Sequence, residues 1–173
     1  MNEAVDYAAS MLEELRLNVG DSPLKLQEVS LKSLIRRAVD EATIPDSVET
    51  EIHFDEGLDS SSMDPLKIRR VLDNLVRNAV EAMPDGGVLR VLAIEEGNAV
   101  SIRVRDTGMG IPEDLMPDLF KAFVTTKPQG LGLGLAYCKR AVEAHGGTIV
   151  VESKLGEGTT FIVEIPTGTS GTT

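Results

Sequence analysis

Hydrophobic positions along this chain follow two periods, and the switches between them outline the fold. In residues 2–18, Val5, Ala8, Ala9, Leu12 and Leu15 recur at helical spacing, with Val19 just beyond and Glu13, Glu14 and Arg16 on other sides. "NVGDSP" ends that helix with Gly20 and Pro23. Ser30 then precedes "LKSLIRRAVDEA", an N-cap followed by a second helix that Pro45 closes. "VETEIHF" alternates and suits a strand, and "EGLDSSS" has the composition of a loop. Asp64-Pro65 opens the most strongly patterned helix, with Asp as N-cap and Pro at the first helical position. Leu66, Leu72, Leu75, Val76, Ala79, Val80 and Met83 form its expected apolar stripe, and "PDGG" stops it.

Period two returns in "VLRVLAIEEG" and "AVSIRVRD", with Gly97-Asn98 as a hairpin-type turn between them. Residues 107–132 are rich in Gly, Pro, Thr and Lys and carry one short helical piece near 113–119. So long a loop in a compact domain is usually functional, often a lid. A helix follows from Leu133 to His145, with Gly146 as its C′ residue. Two strands, "TIVVES" and "TTFIVEIP", are joined by "KLGEG", and the tail 167–173 is expected to be disordered. This order predicts an α/β fold with a mixed sheet and helices on one face.

Composition narrows the possible functions. The chain has 173 residues, 42% of them hydrophobic, with four Phe, two Tyr and no Trp, so its core is aliphatic. A net charge of -11 argues against broad binding to nucleic acid or anionic membranes, which needs clustered Lys and Arg. Cys138 is the one cysteine, which excludes an internal disulfide and suits a cytoplasmic setting. Its helical position predicts a small buried side chain rather than a reactive thiol. No apolar run approaches the ~20 residues of a membrane span. "MNEAVDYAAS" lacks the basic start and apolar middle of a signal peptide, and a membrane-anchored parent stays open.

Three stretches carry candidate chemistry. In "RRVLDNLVRNAVEAM", Asn74 and Asn78 are four apart and share a helix face. Their two amide oxygens suit a Mg²⁺ ion, which keeps phosphates and waters as other ligands; bonding to nearby loops is the alternative. In "AVSIRVRDTGMGIP", Val100, Ile102 and Val104 share one strand face, and Asp106 continues the column. A carboxylate there needs a donor, and an adenine amino group is one; an Asx-turn at "DTG" is another use for it. Gly108 and Gly110 leave room for a flat ligand between walls such as Met109 and Ile111. In "KPQGLGLGLA", the amides of Gly130, Gly132 and Gly134 can turn toward an anion, the next helix offers its amino terminus, and Lys127 adds a point charge. Neither a Walker motif nor a dinucleotide fingerprint is present.

Taken in order, these motifs resemble the catalytic, ATP-binding domain of sensor histidine kinases, in the superfamily shared with type II topoisomerases, MutL proteins and ninety-kilodalton heat-shock chaperones. "NLVRNAVEAM" resembles the N box, "DTGMGIP" and "GLGLGLA" the two glycine boxes, "LFKAFVTTK" the F box, and "HGGTIVVESKLGEGTTFIVEIP" the closing strands. "NAVEA" and "FVTTK" are most like nitrogen-regulation-type kinases. The resemblance covers about residues 30–166 and implies a two-layer α/β sandwich, the Bergerat fold, with Mg²⁺-ATP under a mobile lid. It implies that residues 1–22 are the end of a second dimerisation helix with its linker, and that 23–166 are the ATP-binding domain.

It further implies that Asn74 and Asn78 hold Mg²⁺, that Asp106 receives the adenine amino group, and that Gly108, Gly110 and Ile111 line the base. Lys127, Gly130, Gly132, Leu133, Gly134 and Leu135 would hold the phosphates, with Asn78 and Lys127 acting on the transferred group. Thr160, in "GTTF", would reach the adenine side. The hydrolytic branch carries a general-base glutamate where this chain has Asn74, and an amide cannot serve as a base, which favours phosphoryl transfer. Neither His53 nor His145 lies in a phosphoacceptor-like helix. The implied partners are therefore a separate dimerisation domain bearing the histidine and a response-regulator receiver domain, with a homodimeric parent and a monomeric fragment. Ala122, Val124, Leu131 and Glu81 depart from the family pattern, which expects Pro, Phe, Thr or Ser, and a basic residue there. An anti-sigma-factor-type serine kinase, or a nucleotide sensor without turnover, is the alternative on the same fold.

Overall fold

The computed structural model describes residues 22–58, 60–126 and 130–167. The helix expected over 2–18 and the tail beyond Thr167 lie outside the described residues. Strands β1 (Gln27–Ser30), β2 (Val48–Phe54), β3 (Ser60–Met63), β4 (Gly87–Glu96), β5 (Ala99–Asp106), β6 (Thr148–Lys154) and β7 (Gly158–Pro166) alternate with helices α1 (Leu31–Asp40), α2 (Pro65–Glu81) and α3 (Gly134–Ala144). Five strands form one sheet in the order β2-β4-β5-β7-β6. β2 runs parallel to β4 and every other pairing in that sheet is antiparallel. α2 lies centrally, packing on α1 and α3 and over β4 and β5, while α3 covers β6 and β7. Alternate residues of the sheet, including Leu89, Val91, Val100, Ile102, Val104, Phe161, Val163 and Ile165, meet the helices in one aliphatic core. The predicted mixed sheet with helices on one face is therefore found.

β1 and β3 form a separate two-stranded antiparallel sheet, with Gln27 opposite Met63 and Ser30 opposite Ser60. "EGLDSSS" is thus partly strand rather than loop. Serine offers no apolar alternation, and the strand exists because it pairs with residues thirty or more positions away. Its value is positional, since it delivers Asp64 to the start of α2. Asp64 Oδ1 accepts from the backbone N–H of Leu66 and Lys67 at 3.1 Å each, and Oδ2 accepts from Lys25 N–H at 3.0 Å. Burial opposes the charge on Asp64, but these N–H groups outweigh it and hold the carboxyl below its ordinary value. That contribution is present at neutral pH and is lost as pH falls through the lowered value. Asp64→Ala should cost about 1–2 kcal/mol, as lost N-caps do, read as a lower thermal midpoint at pH 7 with a smaller difference in acid.

The stripe of α2 also differs in one place. Leu66 is 79% exposed, and Ile68 leads the buried face through Val71, Leu72, Leu75, Val76 and Ala79. Two residues on a helix turn about 200°, so Leu66 and Ile68 cannot both face inward. At its other end α3 stops as expected, with Gly146 at φ 73° after the cap His145. His145 Nε2 accepts from Asp64 N–H at 2.9 Å while Nδ1 lies 2.6 Å from the Ala141 carbonyl, to which it donates. His145 is therefore a structural tie between α2 and α3. Cys138 is fully buried, and burial pushes its thiol up to about 12. Native protein should resist maleimide at pH 8 and become labelled at the rate of global unfolding in urea, because the thiolate is the nucleophile. No helix among the described residues is long and apolar enough to cross a membrane.

Candidate functional site

A cleft of about 880 Å³ opens between α2, residues 109–126 and 130–133, and the ends of β5 and β7. Asn78, Arg77, Glu81 and Ala82 of α2 form one wall. Asp106 and Thr159 lie at its base beside Phe161, with Met109, Gly110 and Ile111 alongside. Leu115, Leu119, Thr125, Thr126, Gly130, Leu131, Gly132, Leu133, Gly134 and Leu135 line much of the rest. A smaller cavity of about 460 Å³ lies between α1 and α2. There Arg69 is already bonded to Glu41 at 2.8 Å and to Asp73 at 2.7 Å, so its charges are used within the protein. The larger cleft is the better ligand site, being mostly apolar with a few convergent polar groups.

Asp106 ends the core-facing column of β5, opposite Leu89 on one side and Thr159 on the other. It is 3% exposed. Burial raises its carboxyl above the ordinary range, offset in part by the N–H groups of Gly108 and Thr159 and by Arg105. Oδ1 accepts from Gly108 N–H at 2.8 Å. The Asx-turn is thus present, and the same buried carboxylate lines the cleft. Met109 N–H donates to Ala82 O at 3.0 Å, and Ile111 N–H donates to Ser153 Oγ at 2.8 Å, so the loop is tied to both α2 and β6.

Thr160 corrects the sequence reading by one residue. Inward-facing Phe161 fixes the parity of β7, so Thr159 shares its face and Thr160 points to the opposite side of the sheet. Thr159, buried and paired with Asp106, is the hydroxyl beside the carboxylate, and its Oγ1 lies 2.8 Å from Ser153 Oγ. The parity was available from "GTTF" once Phe161 was taken as a core residue.

The segment after β5 contains the expected short helical piece, a 3₁₀ turn over Glu113–Asp118. Phe120 packs edge-on against Phe161 with centroids 6.4 Å apart, anchoring the segment to the floor. Gly132 O accepts from Phe123 N–H at 3.1 Å, which folds the segment back on itself. Lys127 lies outside the described residues, so its expected phosphate contact has no geometry here. Gly134 begins α3 against α2: a Cβ there would come 2.7 Å from Asn74 Oδ1. The absence of a side chain lets the amino terminus of α3 approach the polar face of α2.

Asn78 lines the cleft, but the structure does not bring Asn74 with it. Asn74 is buried, donating from Nδ2 to Arg70 O at 2.9 Å and accepting at Oδ1 from Arg77 Nη2 at 2.6 Å. The two asparagines share a helix face only approximately, since a four-residue step advances 40° past a full turn. Sequence reasoning missed Arg77, a cleft-lining cation three residues after Asn74. Among the described residues, no group of three or more His, Cys, Asp or Glu could hold a metal.

A two-layer α/β sandwich, with a cleft floored by a buried carboxylate and closed by a glycine-rich segment entering a helix, defines the class of domain. The chain belongs to the family of histidine kinase-, DNA gyrase B- and HSP90-like ATPases, whose sequence model matches residues 63–169. It is 37% identical over 169 residues to the sensor histidine kinase ZraS of Escherichia coli K12, covering 96% of this chain and 36% of that protein. Among solved structures, the catalytic domain of histidine kinase ThkA superposes with a TM-score of 0.75 at 34% identity, over 83% of this chain and 96% of that one. ThkA in complex with the response regulator TrrA gives 0.79 at 28% identity, over 96% and 49%. Full-length ShkA in complex with AMPPNP gives 0.82 at 28% identity, over 98% and 37%. The chain thus spans about a third of the length of the curated relative, 36%.

Proposed function

We propose that this domain binds Mg²⁺-ATP and is the kinase half of a two-component sensor of the nitrogen-regulation type. The observation that carries this reading is Asp106, a buried acceptor at the base of a mostly apolar cleft whose far side is the amino terminus of α3. An adenine amino group satisfies the carboxylate, and the polyphosphate then runs toward Gly130, Gly132, Gly134 and the first amides of α3. Thr159, Gly108, Gly110 and Ile111 surround the base, with Leu133 and Leu135 near the phosphates.

The donor set suits a metal that arrives with its nucleotide. Asn78 offers one amide oxygen, and Mg²⁺ commonly takes one or two protein ligands with phosphates and waters. When bound, the metal supplies charge neutralisation between phosphate oxygens. The chain's own residues orient the nucleotide and exclude water. Of the two carboxylates near Asn74 and Asn78 in sequence, Asp73 is bonded to Arg69 and is not among the cleft-lining residues, whereas Glu81 lines the cleft. His145 is engaged between α2 and α3, and His53 stands on β2 beside Glu51, neither at the cleft. On this reading the acceptor is a histidine on a separate dimerisation domain, as the resemblance to sensor histidine kinases implies, and the phosphoryl group then passes to a response-regulator aspartate. Labelled ATP, this domain and an isolated dimerisation domain should yield acid-labile, base-stable label on the latter. Acid-stable label on a serine would favour the serine-kinase alternative, and binding without transfer a sensor.

A further inference from the structure

Asn74 and Arg77 form a unit that the ATP reading leaves unexplained. The Asn74 amide is fixed at both ends: Nδ2 donates to the Arg70 carbonyl one turn back, and Oδ1 receives Arg77 Nη2 at 2.6 Å. Gly134 closes in from the other side, with its would-be Cβ 2.7 Å from Asn74 Oδ1 and 3.7 Å from Arg77 Nη2. The guanidinium therefore lies at the first residue of α3. That helix has eleven residues and no side-chain cap at Leu133. Arg77 lines the cleft, and among the described cleft-lining residues no other is a lysine or arginine. The chain carries a net charge of -11, so a polyanion entering it needs a local positive field.

We propose that Arg77 is a cation that the described fold presents to the nucleotide polyphosphate, and that Asn74 is a positioning residue that holds it there rather than a metal ligand. This rests on the ATP reading of the cleft. One guanidinium N–H is spent on Asn74, and the others remain suited to phosphate oxygens in the forked geometry arginine favours. The first amides of α3 point to the same place, so charge and backbone donors converge without a Walker loop. A metal on Asn74 Oδ1 would have to displace Arg77 and fit against Gly134.

The test is calorimetric titration of the whole chain with ATP, ADP and adenosine, each in Mg²⁺ and in EDTA. Arg77→Met should weaken ATP about 10- to 100-fold in both conditions, ADP less, and leave adenosine unchanged. Arg77→Lys should recover only part of the loss, since an ammonium lacks the fork. Asn74→Ala should give a smaller loss with the same ATP-over-adenosine selectivity, persisting in EDTA, and should add little to Arg77→Met in the double variant. An Asn74→Ala effect seen in Mg²⁺ and abolished in EDTA would make Asn74 a metal ligand and overturn its positioning role. Wild-type ATP affinity in Arg77→Met would overturn the proposal while leaving the cleft reading intact; no binding of ATP or adenosine by wild type would end both. If Asn74→Ala loses adenosine as well, it has lost the fold, and the exposed Arg77 position decides.

Discussion

Asp106→Asn should weaken ATP binding roughly 10- to 150-fold, the loss of one hydrogen bond to a charged group worth about 1.5–3 kcal/mol, while the unliganded domain melts no lower than wild type. The two effects have opposite signs for one reason. Burial raises the Asp106 carboxyl, so the folded, unliganded domain disfavours the charge that ATP needs. The native state therefore holds a proton at pH values where the unfolded chain has lost it. Stability falls as pH rises from the ordinary aspartate value through the raised one. Asparagine removes that penalty and still offers an oxygen to Gly108 N–H. It also turns a donor toward the adenine amino group, where only an acceptor is useful. ATP affinity of the wild type should fall as pH drops through the raised value, and that dependence should vanish in Asp106→Asn. Titration calorimetry across pH, with melting curves on the same samples, reads both.

Gly110→Ala should destabilise the domain by about 3–4 kcal/mol, combining left-handed backbone strain of about 1–2 kcal/mol with two hydrogen bonds at about 1 kcal/mol each. Gly110 has φ 70°, and an added Cβ would lie 2.2 Å from the backbone oxygen of Lys154. Neither side can yield cheaply. Met109 O accepts from Gly156 N–H at 2.7 Å, and Ile111 N–H donates to Ser153 Oγ at 2.8 Å, so the residues flanking Gly110 are bonded to the same β6–β7 turn. Relief of the clash breaks both bonds and moves Asp106's loop away from Thr159. For a domain of this size the midpoint should drop by about 6–15 °C. ATP affinity should fall in the surviving folded fraction as well.

The sequence carried the sheet and the three described helices because their periods are strong. Asp106 was legible for the same reason: Val100, Ile102 and Val104 point straight to it, and it is buried where that column ends. What escaped notice depends on partners distant in sequence. β1 and β3 have no apolar rhythm of their own and exist by pairing with each other. Thr160 failed because alternation gives parity only after one residue is anchored, and Phe161 is that anchor. Spacing puts Asn74 beside Asn78 as a metal-ligand pair, but where its oxygen points is set by Arg77 and Gly134, a side-chain arrangement that spacing does not encode. The glycines at 132 and 134 were read as open backbone for an anion. At Gly134 the structure adds a second reason, close packing of α3 on α2.

The most direct measurement is an amide-resonance titration of the isotope-labelled domain with Mg²⁺-ATP. The cleft reading predicts saturable shifts at Gly108, Gly110 and Thr159 around the base and at Gly134 and Leu135 by the phosphates, with Ala42 and Thr43 of the α1–α2 groove unmoved. Shifts confined to that groove, or a spectrum unchanged at millimolar ATP, would contradict it.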